Sequence, residues 1–133
     1  MILENFYKIK SKNISKDQGL LSVDIDINKD HEIFKGHFPD NPVMPGVCMM
    51  QIIKEITEDT VGSKLFMEKC SNVKFMALIN PEINNTLNIE LNIIQENGMV
   101  KIKNITRFKD TVALKLSAQY RVGEAFKNVY PSD

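Results

Sequence analysis

The sequence predicts an α+β domain in which one long helix packs on an antiparallel sheet, and three observations carry that expectation. Leu21, Val23, Ile25 and Ile27 alternate with Ser22, Asp24, Asp26 and Asn28, the period of a strand with one face in a core. Met49, Ile52, Ile53 and Ile56 follow the i, i+3, i+4, i+7 spacing of an amphipathic helix. Only β-favouring stretches follow that helix, and the order strand, loop, lone helix, run of strands is that of an α+β fold.

Taken in chain order, the alternating stretch at residues 21–27 reads as an edge or near-edge strand. Residues 31–46 then hold three of the five prolines and two of the six glycines. Such a segment is an irregular, stiffened loop, and loops of this length inside a small domain are usually functional. The helix is expected over residues 45–60, with Gly62 as its stop. Strands are expected over residues 73–79, 87–94, 99–108 and 112–120 from their β-branched and aromatic content. Asn97-Gly98 suits a type I′ hairpin turn, and Lys109-Asp110 reads as a second tight turn whose type stays open.

Composition bounds the function. The 133 residues suit one domain spanning 1–133, and 43% hydrophobic with 26% charged residues suits a packed core. Seventeen basic residues balance seventeen acidic ones, so no long-range field favours nucleic acid or an anionic membrane. Apolar runs are interrupted far short of the roughly 18 residues a membrane span needs. Glu4 and Asn5 interrupt any secretory start, so a cytoplasmic protein is expected. Cys48 and Cys70 form no CxxC pair and have no histidine at ligand spacing, which predicts two reduced core cysteines, no metal site and no redox motif.

One segment carries chemistry. Gly36-His37-Phe38-Pro39, then Pro42, then Met44-Pro45-Gly46-Val47 running into the helix, resembles the β-hydroxyacyl-acyl-carrier-protein dehydratase family. The match is specific over about residues 30–60 and weaker at Asn72-Val73-Lys74-Phe75 and the hairpin strands. It implies the hotdog fold, one long central helix wrapped by a curved antiparallel sheet. It also implies a homodimer or trimer of dimers, a 3-hydroxyacyl chain on acyl-carrier protein as substrate, and no cofactor.

That chemistry needs a base for the carbon-bound proton, a stabiliser for charge gathering on the thioester oxygen, and a proton for the departing hydroxyl. The resemblance makes His37 the base; an imidazole near neutrality can accept a proton, although a loop histidine can equally serve to bond backbone. Gly46 and Val47 fall in the first helical turn, where free amides and the positive end of the helix dipole favour an oxyanion. By resemblance the Gly46 amide holds the thioester carbonyl; Pro-Gly can also be plain punctuation before a helix. Phe38, Pro39, Pro45, Val47 and Met50 are assigned by the same resemblance to substrate binding.

The departure lies fourteen positions after His37, where the family's acidic residue, supplied by the partner subunit's helix, is Gln51 here. An amide can hydrogen-bond a hydroxyl or a water but has no proton to transfer. At about 100° per residue Gln51 lies beside Cys48, Glu55 and Glu58, away from the packed stripe, facing a channel or water. Glu55 is offset by about 6 Å along the axis, too far for simple replacement, and both glutamates read as solvated charges. After Phe75 the family's basic residue and Pro-Gly-Asp turn become Met76, Ala77 and Pro81-Glu82-Ile83-Asn84-Asn85, so the channel rim differs. His31 beside Glu32 reads as a surface pair, and Met44, Met49, Met50, Met67 and Met76 as core fillers or the lining of an acyl tunnel.

Three functions compete. The first is a dehydratase with His37 as base and Gln51 positioning the hydroxyl or a water. The second is an impaired subunit that binds acyl chains or carrier protein, or pairs with an active paralogue. The third is a thioesterase, disfavoured because Gln51 supplies no carboxylate near the carbonyl.

Overall fold

The computed structural model describes residues 4–36 and 42–125. Within them, strands β1 (Tyr7–Ser15) and β2 (Leu20–Ile27) precede a one-turn helix α1 (Glu32–Lys35) and the long helix α2 (Gly46–Val61). Strands β3 (Ser63–Phe75), β4 (Thr86–Glu96), β5 (Met99–Phe108) and β6 (Thr111–Ala125) complete the chain. All pairings are antiparallel, and the sheet order is β1-β2-β4-β5-β6-β3. Helix α2 therefore carries the chain from β2, near one edge, to β3 at the other. Three register shifts between β3 and β6 mark the bulges with which a sheet bends.

The helix forms where its apolar stripe predicts. Pro45 sits extended at its N-cap, where a missing N–H costs no helical bond, and Gly62 closes it at φ 75° with its amide on the Glu58 carbonyl. Cys48, Met49, Ile52, Ile53, Ile56 and Thr57 are buried, facing Leu21, Val23 and Ile25 of β2, Leu87, Ile89 and Leu91 of β4, and Leu114, Leu116 and Tyr120 of β6 in one core. Even the buried Thr57 hydroxyl is satisfied, donating to the Ile53 carbonyl at 2.7 Å. One long helix against a curved antiparallel sheet is the architecture expected. No helix among the described residues is long and apolar enough to cross a membrane.

Several boundaries differ from expectation. β1 was not predicted: its residues are almost all exposed, so its sequence carries no period-two burial signal, and beyond Tyr7 at its start it is held by pairing with β2. β2 is consequently second in the sheet, the near-edge place of the two expected. The strand expected over residues 73–79 is the far end of β3, which starts at Ser63 and stops at Phe75; most of β3 is an exposed edge whose pattern hides it from periodicity. Residues 76–79 leave the ladder, with the Met76 amide on the Ala113 carbonyl and the Ile79 carbonyl accepting from Met44 at 2.8 Å each.

The segment after residue 31 is not wholly irregular either. His31 caps α1, its Nδ1 accepting from the Ile33 amide at 3.1 Å and its Nε2 lying 3.0 Å from the Glu4 carbonyl. The Phe6 ring meets it edge-on at 5.0 Å, so His31 is a structural histidine. The two hairpin turns behave as their sequences suggest. Asn97 and Gly98 both take positive φ (51° and 75°), as type I′ requires, and Lys109 takes φ 53°.

Candidate active site

The candidate site begins at the N-terminus of α2. The amides of Cys48 and Met49 both donate to the Pro45 carbonyl, whereas those of Gly46 and Val47, just before them in the same turn, have no acceptor among the described residues. Two donors and the positive end of a 16-residue helix thus converge where an anionic oxygen would be stabilised. Pro45 and Gly46 are half-buried, Val47 is 61% exposed, and Met50 is half-buried against the core.

Beside this terminus lies a cavity of about 390 Å³ whose lining includes Gly46, Met44, Met49, Phe75, Leu78 and Leu114. Its walls are apolar, as a site for an acyl chain needs. Of the five methionines weighed as tunnel residues, Met44, Met49 and Met76 line it; Met50 and Met67 do not, and Met67 is exposed on β3. Phe75, Leu78 and Leu114 were missed as lining residues, although the departure from the family pattern after Phe75 was a signal. The Phe75 ring packs over Gly46 so closely that a Cβ there would lie 2.6 Å from its tip. Glycine at 46 thus leaves room for the Phe75 ring, which a side chain there would push aside.

His37, Phe38 and Pro39 lie outside the described residues. Gln51 is half-buried on a different face of α2 from Gly46 and is not in the cavity wall. Its side-chain amide donates from Nε2 to Glu55 Oε2 at 2.9 Å. Glu55 Oε1 accepts from the Tyr7 hydroxyl at 2.8 Å, tying the start of β1 to the helix. Burial, then the Glu55 hydrogen bond and charge with lesser contributions from Asp59 and Glu58, push the Tyr7 hydroxyl above the ordinary tyrosine range, so it stays a donor.

The expectation that Glu55 and Glu58 are solvated charges is corrected. Glu55 is half-buried with both oxygens engaged, and Glu58 accepts from the Leu65 amide at 2.9 Å, fixing the turn into β3. The 6 Å axial offset hid this because a glutamate side chain reaches back along the helix. The cysteines divide: Cys48 is buried in α2 while Cys70 is only half-buried on β3, and both are free thiols. Burial pushes both thiols up, so neither is primed as a nucleophile.

Among curated proteins, the chain is similar to 3-hydroxyacyl-[acyl-carrier-protein] dehydratases FabZ. It is 24% identical over 119 residues to that of Caldanaerobacter subterraneus subsp. tengcongensis, covering 84% of each chain. With that of Bacillus subtilis it shares 26% over 106 residues, covering 74% of each. With that of Caulobacter vibrioides it shares 29% over 90 residues, 60% of this chain and 55% of the relative's length, so the match spans about half of that protein. Solved structures share the fold. A chain of the dehydratase heterocomplex ApeI:P from Xenorhabdus doucetiae superimposes with TM-score 0.69 at 18% identity, over 86% of this chain and 96% of that one. A hypothetical thioesterase with coenzyme A from Streptococcus pneumoniae gives 0.63 at 10% identity, over 90% and 87%. The ApeI-like family, ApeI dehydratase, matches residues 12–119, and the chain, with its single long helix against a curved antiparallel sheet, belongs to this family of hotdog dehydratases.

Proposed function

We propose that the chain is a 3-hydroxyacyl thioester dehydratase acting in the cytoplasm on acyl chains carried by acyl-carrier protein. The observation that carries the reading is two amides, of Gly46 and Val47, without acceptors among the described residues, the first of them on the wall of an apolar cavity. A thioester carbonyl seated on those amides has its developing negative charge stabilised, and its acyl chain lies along Met44, Met49 and Leu78. The carbonyl so polarised acidifies C2. His37 takes the C2 proton, the C2–C3 double bond forms as the C3–O bond breaks, and the same proton leaves with the hydroxyl as water. In this reading the substrate-binding residues at the thioester end are Phe38, Pro39, Pro45, Val47 and Met50.

Gln51 positions the hydroxyl. Five residues separate it from Gly46, which puts the two on different faces of one helix; in this reading each site takes its Gln51 from a partner subunit, giving a homodimer or trimer of dimers. The β3 edge supports that assembly, with Phe66 49% and Phe75 57% exposed on a strand paired on one side only. The names of the FabZ relatives support the substrate class.

A second reading, a subunit that completes its site with a different hotdog chain, is favoured by one observation: the structurally similar ApeI:P is a heterocomplex. Incubating the purified protein with 3-hydroxyacyl-carrier proteins of several chain lengths and weighing the products decides between them. Loss of 18 mass units (one water) by the protein alone supports the first reading; loss only after a second hotdog protein is added supports the second. Sedimentation of the purified protein at micromolar concentration should show a dimer or larger, and a monomer would contradict the homodimer of the first reading.

A further inference from the structure

Gln51, Glu55 and Tyr7 form a chain of hydrogen bonds that the dehydration steps above do not use. Its polarity follows from chemistry. A carboxylate is acceptor-only, so the end of the Gln51 amide 2.9 Å from Glu55 Oε2 is its NH2 group. The second oxygen of Glu55 is taken by the Tyr7 hydroxyl at 2.8 Å, which leaves the carboxylate no easy alternative rotamer. Residue 51 is thereby turned so that its carbonyl oxygen points away from Glu55, and that oxygen has no donor among the described residues.

We propose that Glu55, braced by Tyr7, is a positioning residue that locks the Gln51 amide with its carbonyl oxygen outward, so that this position accepts a hydrogen bond from the 3-hydroxyl of the acyl substrate. The inference rests on the reading of Gln51 as a hydroxyl-positioning residue and deepens it. A hydroxyl that donates to Gln51 keeps its oxygen lone pairs for the proton His37 has taken from C2. An amide free to flip would present NH2 and oxygen about equally, and half its orientations would occupy those lone pairs instead. Glu55 therefore sets which partner of the hydroxyl Gln51 is, without touching the substrate.

The test separates this from turnover by using ligands that cannot eliminate. The probes are pantetheine amides of a 3-hydroxyacyl chain and of the saturated chain of the same length, titrated against the intact protein. One neutral hydrogen bond corresponds to a preference for the hydroxylated amide of roughly 2- to 12-fold. Glu55→Gln, which no longer dictates the amide's orientation, and Tyr7→Phe, which removes only a hydroxyl, should both bring that ratio towards one. Affinity for the saturated amide should stay unchanged, and Glu55→Gln should add nothing in a Gln51→Leu background. A merely structural role would weaken both ligands together. An unaltered ratio in Glu55→Gln and Tyr7→Phe, or no preference in the parent, overturns the proposal. Enoyl formation is read separately. A ratio that collapses in the variants of a protein making no enoyl product upholds the positioning role and sinks the dehydratase reading. Product formation with an unmoved ratio does the reverse.

Discussion

The two ends of α2 are built to opposite rules. The C-terminal end is tied into the fold: Gly62 returns its amide to the Glu58 carbonyl at 2.8 Å, and the Glu58 carboxylate holds the Leu65 amide. The Thr60 hydroxyl bonds the Ile56 carbonyl. At the N-terminal end two amides lack acceptors among the described residues, Val47 is exposed, and an apolar cavity opens alongside. Helix ends without partners are costly when shielded from water, so under the proposed function the untied end is the one that meets the substrate. The comparison teaches that one helix can be anchored at one terminus and left available at the other, with its buried middle serving both.

The largest break should come at the open end. His37→Ala is expected to lower dehydration about 10²- to 10⁴-fold, the contribution of a general base, with the thermal midpoint nearly unmoved; full activity in that variant would remove His37 from the chemistry. The middle of the helix should respond in the other currency. Ile53 is fully buried, and Ile53→Ala should cost about 2–5 kcal/mol in denaturant unfolding.

Gln51→Glu sharpens the comparison further. The new carboxyl would face Glu55 across a distance that is now 2.9 Å, and two carboxylates so close share a proton, which raises the upper pKa of the pair. A protonated carboxyl can donate to the leaving hydroxyl, so dehydration should rise on the order of tenfold, below the full contribution of a general acid. The gain should fade as pH climbs past that upper pKa, whereas stability should fall earlier, between the ordinary glutamate pKa and that upper value, where the folded pair holds a proton the unfolded chain has released. Activity that is high in the parent and indifferent to the change means His37 moves the proton unaided.

The smallest effect belongs to the tied end. Gly62 sits at φ 75° with nothing within 4 Å of where a Cβ would be, so Gly62→Ala meets backbone strain alone, about 1 kcal/mol. Activity per folded molecule should be unchanged. A loss of activity there would show that the two ends are not independent.

The elements legible in the sequence are those whose burial repeats locally. The α2 stripe, the β2 alternation and the Asn97-Gly98 turn each depend on neighbours within a few residues, and the structure has them within a residue or two of the expected bounds. β1 and the first ten residues of β3 were not legible, because edge strands are held by pairing rather than by a buried face, and pairing partners are remote in sequence. In the site, the free amides of Gly46 and Val47 were legible from the helix start and its proline.

What the sequence determined alone was therefore the helix, its polarity, the glycine at its open end and the missing carboxylate at Gln51. Only the tertiary structure decided that Phe75, 29 positions after Gly46, lies over that glycine, that Leu78 and Leu114 wall the cavity, and that Tyr7 and Glu55 meet across 48 positions. The physical reason is range. Periodicity and capping are set by backbone geometry over one or two turns, whereas a cavity wall or a carboxylate's hydrogen-bond partner is chosen by which distant strands the sheet brings alongside the helix.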